Sequence, residues 1–255
     1  MTSSSSPDLS VLWKCPAMSE CPDVIVALDY AEPEAAWNLV TLLPESTWFK
    51  VGLELFTRTG PPVVERLVGE GRQVFLDLKL HDIPNTVAGA VRAAGRFGVR
   101  LLTVHGAGGE AMLRAAADAA GASNSATGHD LRLLAITVLT SLDDAALASV
   151  MGPQVRVEET AGRLAGLARE SGIDGAVCSV NEARAVKMSC GSEFLVVTPG
   201  IRLAGESVDD QRRVATPEVA RAAGADFLVV GRTITRAEHP ARALEAIQRA
   251  VAGES

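Results

Sequence analysis

The sequence lacks several features that point to particular classes of protein. Its 255 residues include only four cysteines (Cys15, Cys21, Cys178 and Cys190) and no CxxC pair, which argues against a zinc site or a disulfide framework. No apolar run approaches the ~18 residues of a membrane span. The first ten residues have no basic start followed by an apolar stretch, so we expect no secretory signal and a cytoplasmic location.

Dense runs of basic residues are also absent. The chain has 24 Lys and Arg against 31 Asp and Glu, which gives a net charge of −7. This balance argues against nucleic acid or an anionic membrane as the main partner. A small anionic ligand is still compatible with it, because such a ligand needs only two or three well-placed cations.

The order of apolar and amphipathic segments predicts the fold. From Asp23 onward, short apolar runs such as 24–28 and 227–230 alternate about eight times with Ala-rich helical patterns. Continuous apolar runs are typical of parallel strands covered on both faces. We therefore predict one α/β domain, a single (β/α)₈ TIM barrel over residues 23–255, after a disordered N-terminal extension of residues 1–22. An open doubly wound sheet is the alternative, but no GxGxxG turn follows the first strand.

Two polar stretches between these segments are predicted to be loops. Residues 121–130 (GASNSATGHD) read as a surface loop. Residues 202–213 follow a predicted strand, so we expect this longer loop on the catalytic face.

The stretch FLDLKLHD at residues 75–82 is the most informative. Side chains alternate along a strand, so Asp77 and Lys79 share one face and the leucines share the other. In a barrel these two charges would point inward near the carboxyl end of the strand, where barrel enzymes hold their chemistry. The alternative is a buried ion pair that only fixes the core, but such pairs seldom improve stability. For His81, a histidine bonded to the backbone is the favoured interpretation.

Other polar residues follow the predicted strands at matching positions. Asp29 ends the first strand and Lys50 lies in the second, while His105, Thr140 and Ser141 follow later ones. Any one of them could be a solvated strand end. Together with Asp77 and Lys79, however, Asp29 and Lys50 give alternating charges at one barrel mouth. Each opposite charge favours the charged form of its neighbour.

The last strands carry a pattern typical of phosphate binding. Gly231 and Arg232 follow the apolar run FLVV, and Arg202 opens the long loop that contains Gln211. Glycine allows close backbone approach, free N–H groups cradle an anion, and arginine grips it with two parallel hydrogen bonds. Barrel phosphate sites commonly use the loops after the seventh and eighth strands. A metal site is disfavoured, because the histidines show no HxH or HxxxH pairing.

The stretch DLKLHDIPNT, from Asp77 to Thr86, closely resembles the signature of the orotidine 5′-phosphate decarboxylase family, the last enzyme of UMP synthesis. The likeness extends through the motifs VALD, KVG, VLTS, TPGIR and VVGR and covers about residues 23 to 251 in the expected order. The family fold is a (β/α)₈ barrel, which agrees with the strand and helix spacing.

The resemblance implies a decarboxylation without metal or organic cofactor. Lys79 would protonate C6 of the pyrimidine as carbon dioxide leaves, and Asp77 would place its negative charge against the departing carboxylate. Lys50 and Asp82 would complete a Lys–Asp–Lys–Asp array of catalytic residues. The implied ligands are orotidine 5′-phosphate and UMP.

The resemblance also implies a homodimer with shared active sites and a set of substrate contacts. Asp82, Ile83 and Thr86 would enter the site of the partner subunit. The remaining contacts would be to the ribose (Asp29, Lys50), the base (Thr140, Ser141), the phosphate (Arg202, Gly231, Arg232) and both phosphate and base (Gln211).

Two other functions share part of this pattern. Sibling barrels that act on sugar phosphates use Asp-x-Lys-x-x-Asp with a divalent metal, which Asp77, Lys79 and Asp82 would match. The continuation IPNT and Gln211 favour the decarboxylase. A non-catalytic nucleotide-binding barrel would retain Arg202 and Arg232 without needing Lys79.

Overall fold

Eight parallel strands close into a barrel, each paired with the next along the chain. In the computed structural model, which describes residues 21–203 and 213–254, they are β1 (Asp23–Ala27), β2 (Trp48–Gly52), β3 (Gln73–Leu80), β4 (Leu101–His105), β5 (Arg132–Ile136), β6 (Gly175–Val177), β7 (Leu195–Pro199) and β8 (Phe227–Val230). Pairing of β1 with β8, for example Ile25 with Val229, closes the sheet. The predicted (β/α)₈ barrel is therefore confirmed.

Helices alternate with these strands and surround them. They are α1 (Pro33–Leu42), α2 (Leu53–Thr59), α3 (Pro61–Gly69), α4 (Pro84–Gly95), α5 (Gly109–Thr127), α6 (Asp144–Met151), α7 (Val157–Glu170), α8 (Val180–Cys190), α9 (Pro217–Ala222), α10 (Arg232–Thr235) and α11 (Pro240–Ala252). Five of them begin with proline, whose fixed φ and missing N–H suit the first turn. Within the described ranges, none of these helices is long and apolar enough to cross a membrane.

Side-chain alternation along the strands produces two separate apolar cores. Leu76 belongs to a large core between the strands and the helices. Its neighbour Phe75 belongs to a smaller core inside the barrel, where Trp48 packs edge-on against Phe227 with ring centroids 5.1 Å apart. Because the barrel interior is filled, the open space for a ligand lies at one end.

Two half-buried aspartates lie at the end of the barrel where the strands begin. Asp174 accepts a hydrogen bond from the backbone N–H of Leu133 (2.8 Å), and Asp226 accepts one from Val196 (2.6 Å). Burial raises the pKa of both carboxyls. Each side chain ties one strand to the next, a role in stability that is typical of this face of a barrel.

The structure corrects several predicted element boundaries. The predicted loop over 121–130 is wrong as far as Thr127, because α5 continues to that residue and ends where Gly128 adopts a φ of 73°. Asn124 satisfies both backbone groups of Leu131 at 2.9 Å, which fixes this polar end of the helix. The apolar run over residues 131–139 predicts a strand that continues to Leu139, but β5 ends at Ile136.

Candidate active site

A cavity of about 700 Å³ opens at the carboxyl ends of the strands. Apolar side chains from inside the barrel, including Phe75 and Val229, form part of its wall. Nine of the residues predicted from the sequence line it: Asp29, Lys50, Asp77, Lys79, Thr140, Ser141, Arg202, Gly231 and Arg232.

Four of these side chains form a line of alternating charge. Lys50 Nζ lies 2.7 Å from Asp29 Oδ1 and 3.9 Å from Asp77 Oδ2, and Lys79 Nζ lies 2.8 Å from the same Asp77 oxygen. The Asp77 side chain is only 13% exposed and that of Lys50 only 11%. Partial burial of this kind strengthens the interaction between neighbouring charges, because water screens them less.

Strand register brings these charges together. Lys50 pairs with Ala27, two residues before Asp29, and Asp77 pairs with Gly52 of β2. A Cβ atom at Gly52 would lie 3.0 Å from Lys50 Nζ. Glycine at that position therefore leaves room for the ammonium group between the two carboxylates.

Strand β3 departs from regular pairing where its charged residues lie. Leu76 pairs with Leu102 of β4, but Leu80 pairs with Val104, so three residues of β3 face only one residue of β4. Within the described residues, Lys79 is the one non-glycine residue with a positive φ, at 51°. The bulge directs Asp77 and Lys79 into the cavity instead of extending the flat ladder.

Two arginines also line the cavity, and they follow β7 and β8 in the sequence. Arg202 is 7% exposed, and its backbone N–H donates a hydrogen bond to the backbone carbonyl of Ala215 (3.0 Å). Arg232 begins α10, directly after Gly231. Gly231 has no side chain, so the backbone at this position is open to the cavity. The nearest atom that a Cβ at Gly231 would meet is a carboxylate oxygen of Asp29, 3.6 Å away. An anion can approach the backbone here beside two guanidinium groups.

Four predicted residues are not placed in this cavity. Asp82, Ile83 and Thr86 are exposed, and Ile83 is 68% accessible. The Asp82 carboxylate accepts a hydrogen bond from the backbone N–H of Ile83 (2.6 Å) and, within residues 21–203 and 213–254, forms no ion pair. Gln211 lies outside the described residues, as does nearly all of the predicted extension 1–22.

Sequence reasoning missed other residues at the cavity. Tyr30 and Arg236 line it, and the Tyr30 hydroxyl donates to the carbonyl of Thr235 (3.1 Å). Burial raises the pKa of Tyr30 above its ordinary value of 10.0. The position of Tyr30 directly after Asp29 could have indicated that it lies at the cavity. Nothing in the sequence around Arg236, at the end of α10, indicates the same for that residue.

A stacked histidine pair lies beside the lysine of β3. The rings of His81 and His105 are 5.0 Å apart between centroids and tilted by 20°. Burial lowers the pKa of His105, and the nearby His81 and Lys79 lower it further. In the part of the chain that the structure describes, no group of three or more His, Cys, Asp or Glu side chains is arranged to hold a metal ion.

Arg213, also missed by sequence reasoning, connects three segments around the cavity. Its guanidinium forms an ion pair with Glu182 of α8 and donates to the backbone carbonyls of Val138 (3.2 Å) and Leu139 (3.0 Å). Glu182 in turn accepts a hydrogen bond from the backbone N–H of Ser179 (2.9 Å). The segment that carries Thr140 is thus tied to the first turn of α8.

Comparison with known proteins identifies the family of this chain. Residues 22–247 match the family model described as "Orotidine 5'-phosphate decarboxylase / HUMPS family". The chain belongs to the orotidine 5′-phosphate decarboxylase / HUMPS family. The resemblance inferred from the DLKLHDIPNT motif is thereby confirmed.

Named relatives of this family cover almost the whole chain. The orotidine 5′-phosphate decarboxylase of Moorella thermoacetica is 49% identical over 243 residues, which is 94% of this chain and 96% of the relative. That of Halorhodospira halophila is 51% identical over 234 residues, 91% of this chain and 96% of the relative. The crystal structure of orotidine 5′-phosphate decarboxylase from Lactobacillus acidophilus matches with a TM-score of 0.80 and 39% identity over 90% of this chain and 99% of that one.

Proposed function

We propose that the protein is a carboxy-lyase that converts orotidine 5′-phosphate to UMP and carbon dioxide, the last step of pyrimidine nucleotide synthesis. Membership of the family supports this assignment, as do named relatives at about half identity over most of the chain. The observation that carries it is the line of alternating charge from Asp29 through Lys50 and Asp77 to Lys79 inside the cavity.

In the proposed reaction Lys79 is the proton donor. The bond from C6 to the carboxylate breaks, its electron pair stays on C6, and a proton from Lys79 Nζ takes the place of the carboxylate. A preorganised ammonium group stabilises charge that develops at C6 without reorganisation. The Asp77 carboxylate, 2.8 Å from Lys79 Nζ, holds that ammonium and opposes the substrate carboxylate, which favours the transition state over the bound substrate.

The proposed binding contacts divide the cavity into three parts. Arg202, Arg232 and the backbone at Gly231 bind the phosphate, where two guanidinium groups border the cavity. Asp29 and Lys50 contact the ribose hydroxyls, and Thr140 and Ser141 contact the base. Gln211 would bridge phosphate and base. Binding energy from the phosphate can offset the unfavourable approach of two carboxylates at C6.

We further propose that two copies of the chain share their active sites. Asp82, Ile83 and Thr86 are exposed beside β3 rather than in the cavity of their own chain. An exposed isoleucine next to a charged motif suits burial against a second copy. In the homodimer Asp82 would complete the Lys–Asp–Lys–Asp array of the partner subunit, and the enzyme would act in the cytoplasm.

The proposed reaction needs neither a metal nor an organic cofactor. The decisive experiment is the loss of orotidine 5′-phosphate absorbance when purified protein is added in excess EDTA. Undiminished turnover in EDTA supports the decarboxylase. Turnover of orotidine 5′-phosphate that requires a divalent metal would overturn this proposal, and no turnover with or without metal would favour a sugar-phosphate enzyme of the same family type.

A further inference from the structure

A buried threonine of the neighbouring strand connects the two charged residues of β3. Thr103 in β4 has no exposed surface. Its hydroxyl accepts a hydrogen bond from the backbone N–H of Lys79 (2.8 Å) and donates one to Asp77 Oδ1 (3.0 Å). One hydroxyl thus contacts the main chain of one residue and the carboxylate of the other.

The bulge in β3 explains why a side chain takes this place. Between Leu76 and Leu80 the regular pairing with β4 is interrupted, so the Lys79 N–H has no carbonyl opposite it in the ladder. An N–H withdrawn from water without a hydrogen-bond partner is unfavourable. Thr103 supplies the missing acceptor from the single β4 residue that faces the bulge.

The chemistry of a hydroxyl fixes the direction of both bonds. It has one proton and two lone pairs, and a carboxylate can only accept. The Thr103 proton therefore points to Asp77, which leaves a lone pair for the Lys79 N–H. The second Asp77 oxygen receives the Lys79 ammonium at 2.8 Å, so side chain and backbone form a closed ring of hydrogen bonds.

We propose that Thr103 is a positioning residue for decarboxylation, acting through Lys79 and Asp77 without touching the substrate. It does not line the cavity. Its hydroxyl holds Lys79 in its left-handed conformation, with φ of 51°, and sets the rotation of the Asp77 carboxylate. The role rests on the proposed function, since it presumes that these two residues carry the reaction.

The chain offers a closely matched test. Thr103→Val removes the hydroxyl and keeps the shape, Thr103→Ser restores the hydroxyl, and Thr103→Ala is a second variant without one. Thr198→Val is the control, because Thr198 is equally buried in β7 and, among the residues that the structure describes, its hydroxyl bonds only the carbonyl of Phe227 (3.4 Å). Rates are divided by the number of UMP-binding sites found by titration, so that only folded molecules count.

The expected result separates kcat from binding. A reacting group displaced by ~1 Å costs about a hundredfold in rate, so kcat should fall by that order in Thr103→Val and Thr103→Ala. KM and UMP affinity should stay within about twofold of the wild type, because the proposed contacts to phosphate, ribose and base are unchanged. Thr103→Ser should recover most of kcat, and Thr198→Val should keep it.

Specific outcomes would overturn the role of Thr103. These are a kcat near wild type in Thr103→Val, an equal loss of kcat in Thr198→Val, or a loss confined to KM. No recovery in Thr103→Ser would also contradict it. Absence of turnover by the wild-type chain would instead refute the proposed function itself, so the two failures are distinguishable.

Discussion

At the scale of single residues, Lys79 combines a strained backbone with the ammonium group that ends the line of charges in the cavity. A left-handed conformation costs a non-glycine residue roughly 1–2 kcal/mol, and Lys79 adopts it with φ of 51°. The ion pair with Asp77 and the hydrogen bond from its N–H to Thr103 compensate this cost. Strain held in place by surrounding contacts is common where a side chain must be preorganised.

Protonation of His105 makes the free energy of unfolding depend on pH. Burial, His81 and Lys79 lower its pKa below the ordinary value of 6.5. Just below that pH the unfolded chain binds more protons at His105 than the folded chain, so the free energy of unfolding should fall on acidification, by at most about 1.4 kcal/mol per pH unit. The loss ends once the pH drops below the folded pKa.

We predict that His105→Asn reduces this slope in urea unfolding between about pH 7.5 and pH 5.5. Asparagine keeps an acceptor for the Ala107 N–H, which His105 Nδ1 receives at 3.4 Å. The control is His239→Asn, at an exposed position before α11. Equal slopes for wild type and His105→Asn would contradict the prediction.

The sequence predicted which residues line the cavity better than it predicted the backbone conformation that positions them. Alternation in FLDLKLHD was enough to pair Asp77 with Lys79. A positive φ at a lysine goes against residue preference and arises only from the contacts around it. Thr103 likewise looks like any residue of an apolar strand until β3 is known to bulge beside it.

At the scale of elements, Arg213 holds together segments that lie far apart in the chain. Its side chain is 11% exposed and that of Glu182 only 5%, and the guanidinium also donates hydrogen bonds to the two backbone carbonyls just before Thr140. The segment with the proposed base contacts is therefore fixed relative to α8. No local pattern predicts this position, because an arginine in a polar stretch is usually on the surface.

Arg213→Met should destabilise the protein far more than the same change at an exposed ion pair. It leaves the buried Glu182 carboxylate unpaired, which costs about 3 kcal/mol. Arg114→Met is the control, since Arg114 and Glu110 form an exposed pair at 2.8 Å within α5 worth at most about 0.5 kcal/mol. Urea unfolding measures both, and similar small losses would show that Arg213 contributes little.

Helix boundaries show where local sequence preference is insufficient. Ser123 and Asn124 belong to residue types that favour turns and caps, yet they lie in α5 because Ser123 is buried and Asn124 bonds Leu131. Repeated apolar runs nevertheless predicted all eight strands. Contacts made outside the helix determine where α5 ends, so residue preference within the helix does not reveal its boundary.

At the scale of the whole molecule, the placement of charge matters more than its sum. The chain carries a net charge of −7, yet Lys50, Lys79, Arg202 and Arg232 all line one cavity. Local positive groups can hold an anionic ligand on an acidic protein. Asp82 lies outside this cavity, so the proposed array of four charges needs a second chain.

The shared site can be tested by mixing two inactive variants. A 1:1 mixture of Asp82→Ala and Lys79→Ala chains should recover about one quarter of wild-type activity, since half of the dimers are hybrid and each has one intact site. The control replaces Asp82→Ala by the double variant Lys79→Ala/Asp82→Ala and should recover nothing. No recovery in the first mixture, despite subunit exchange seen by native mass spectrometry, would contradict a shared site.

The most direct test of the account compares turnover of orotidine 5′-phosphate by wild-type and Lys79→Ala protein in excess EDTA, with UMP binding measured on both. We predict undiminished turnover by the wild type, no detectable turnover by Lys79→Ala, and UMP binding by both proteins. Near wild-type turnover by Lys79→Ala would contradict the assignment of Lys79 as the proton donor.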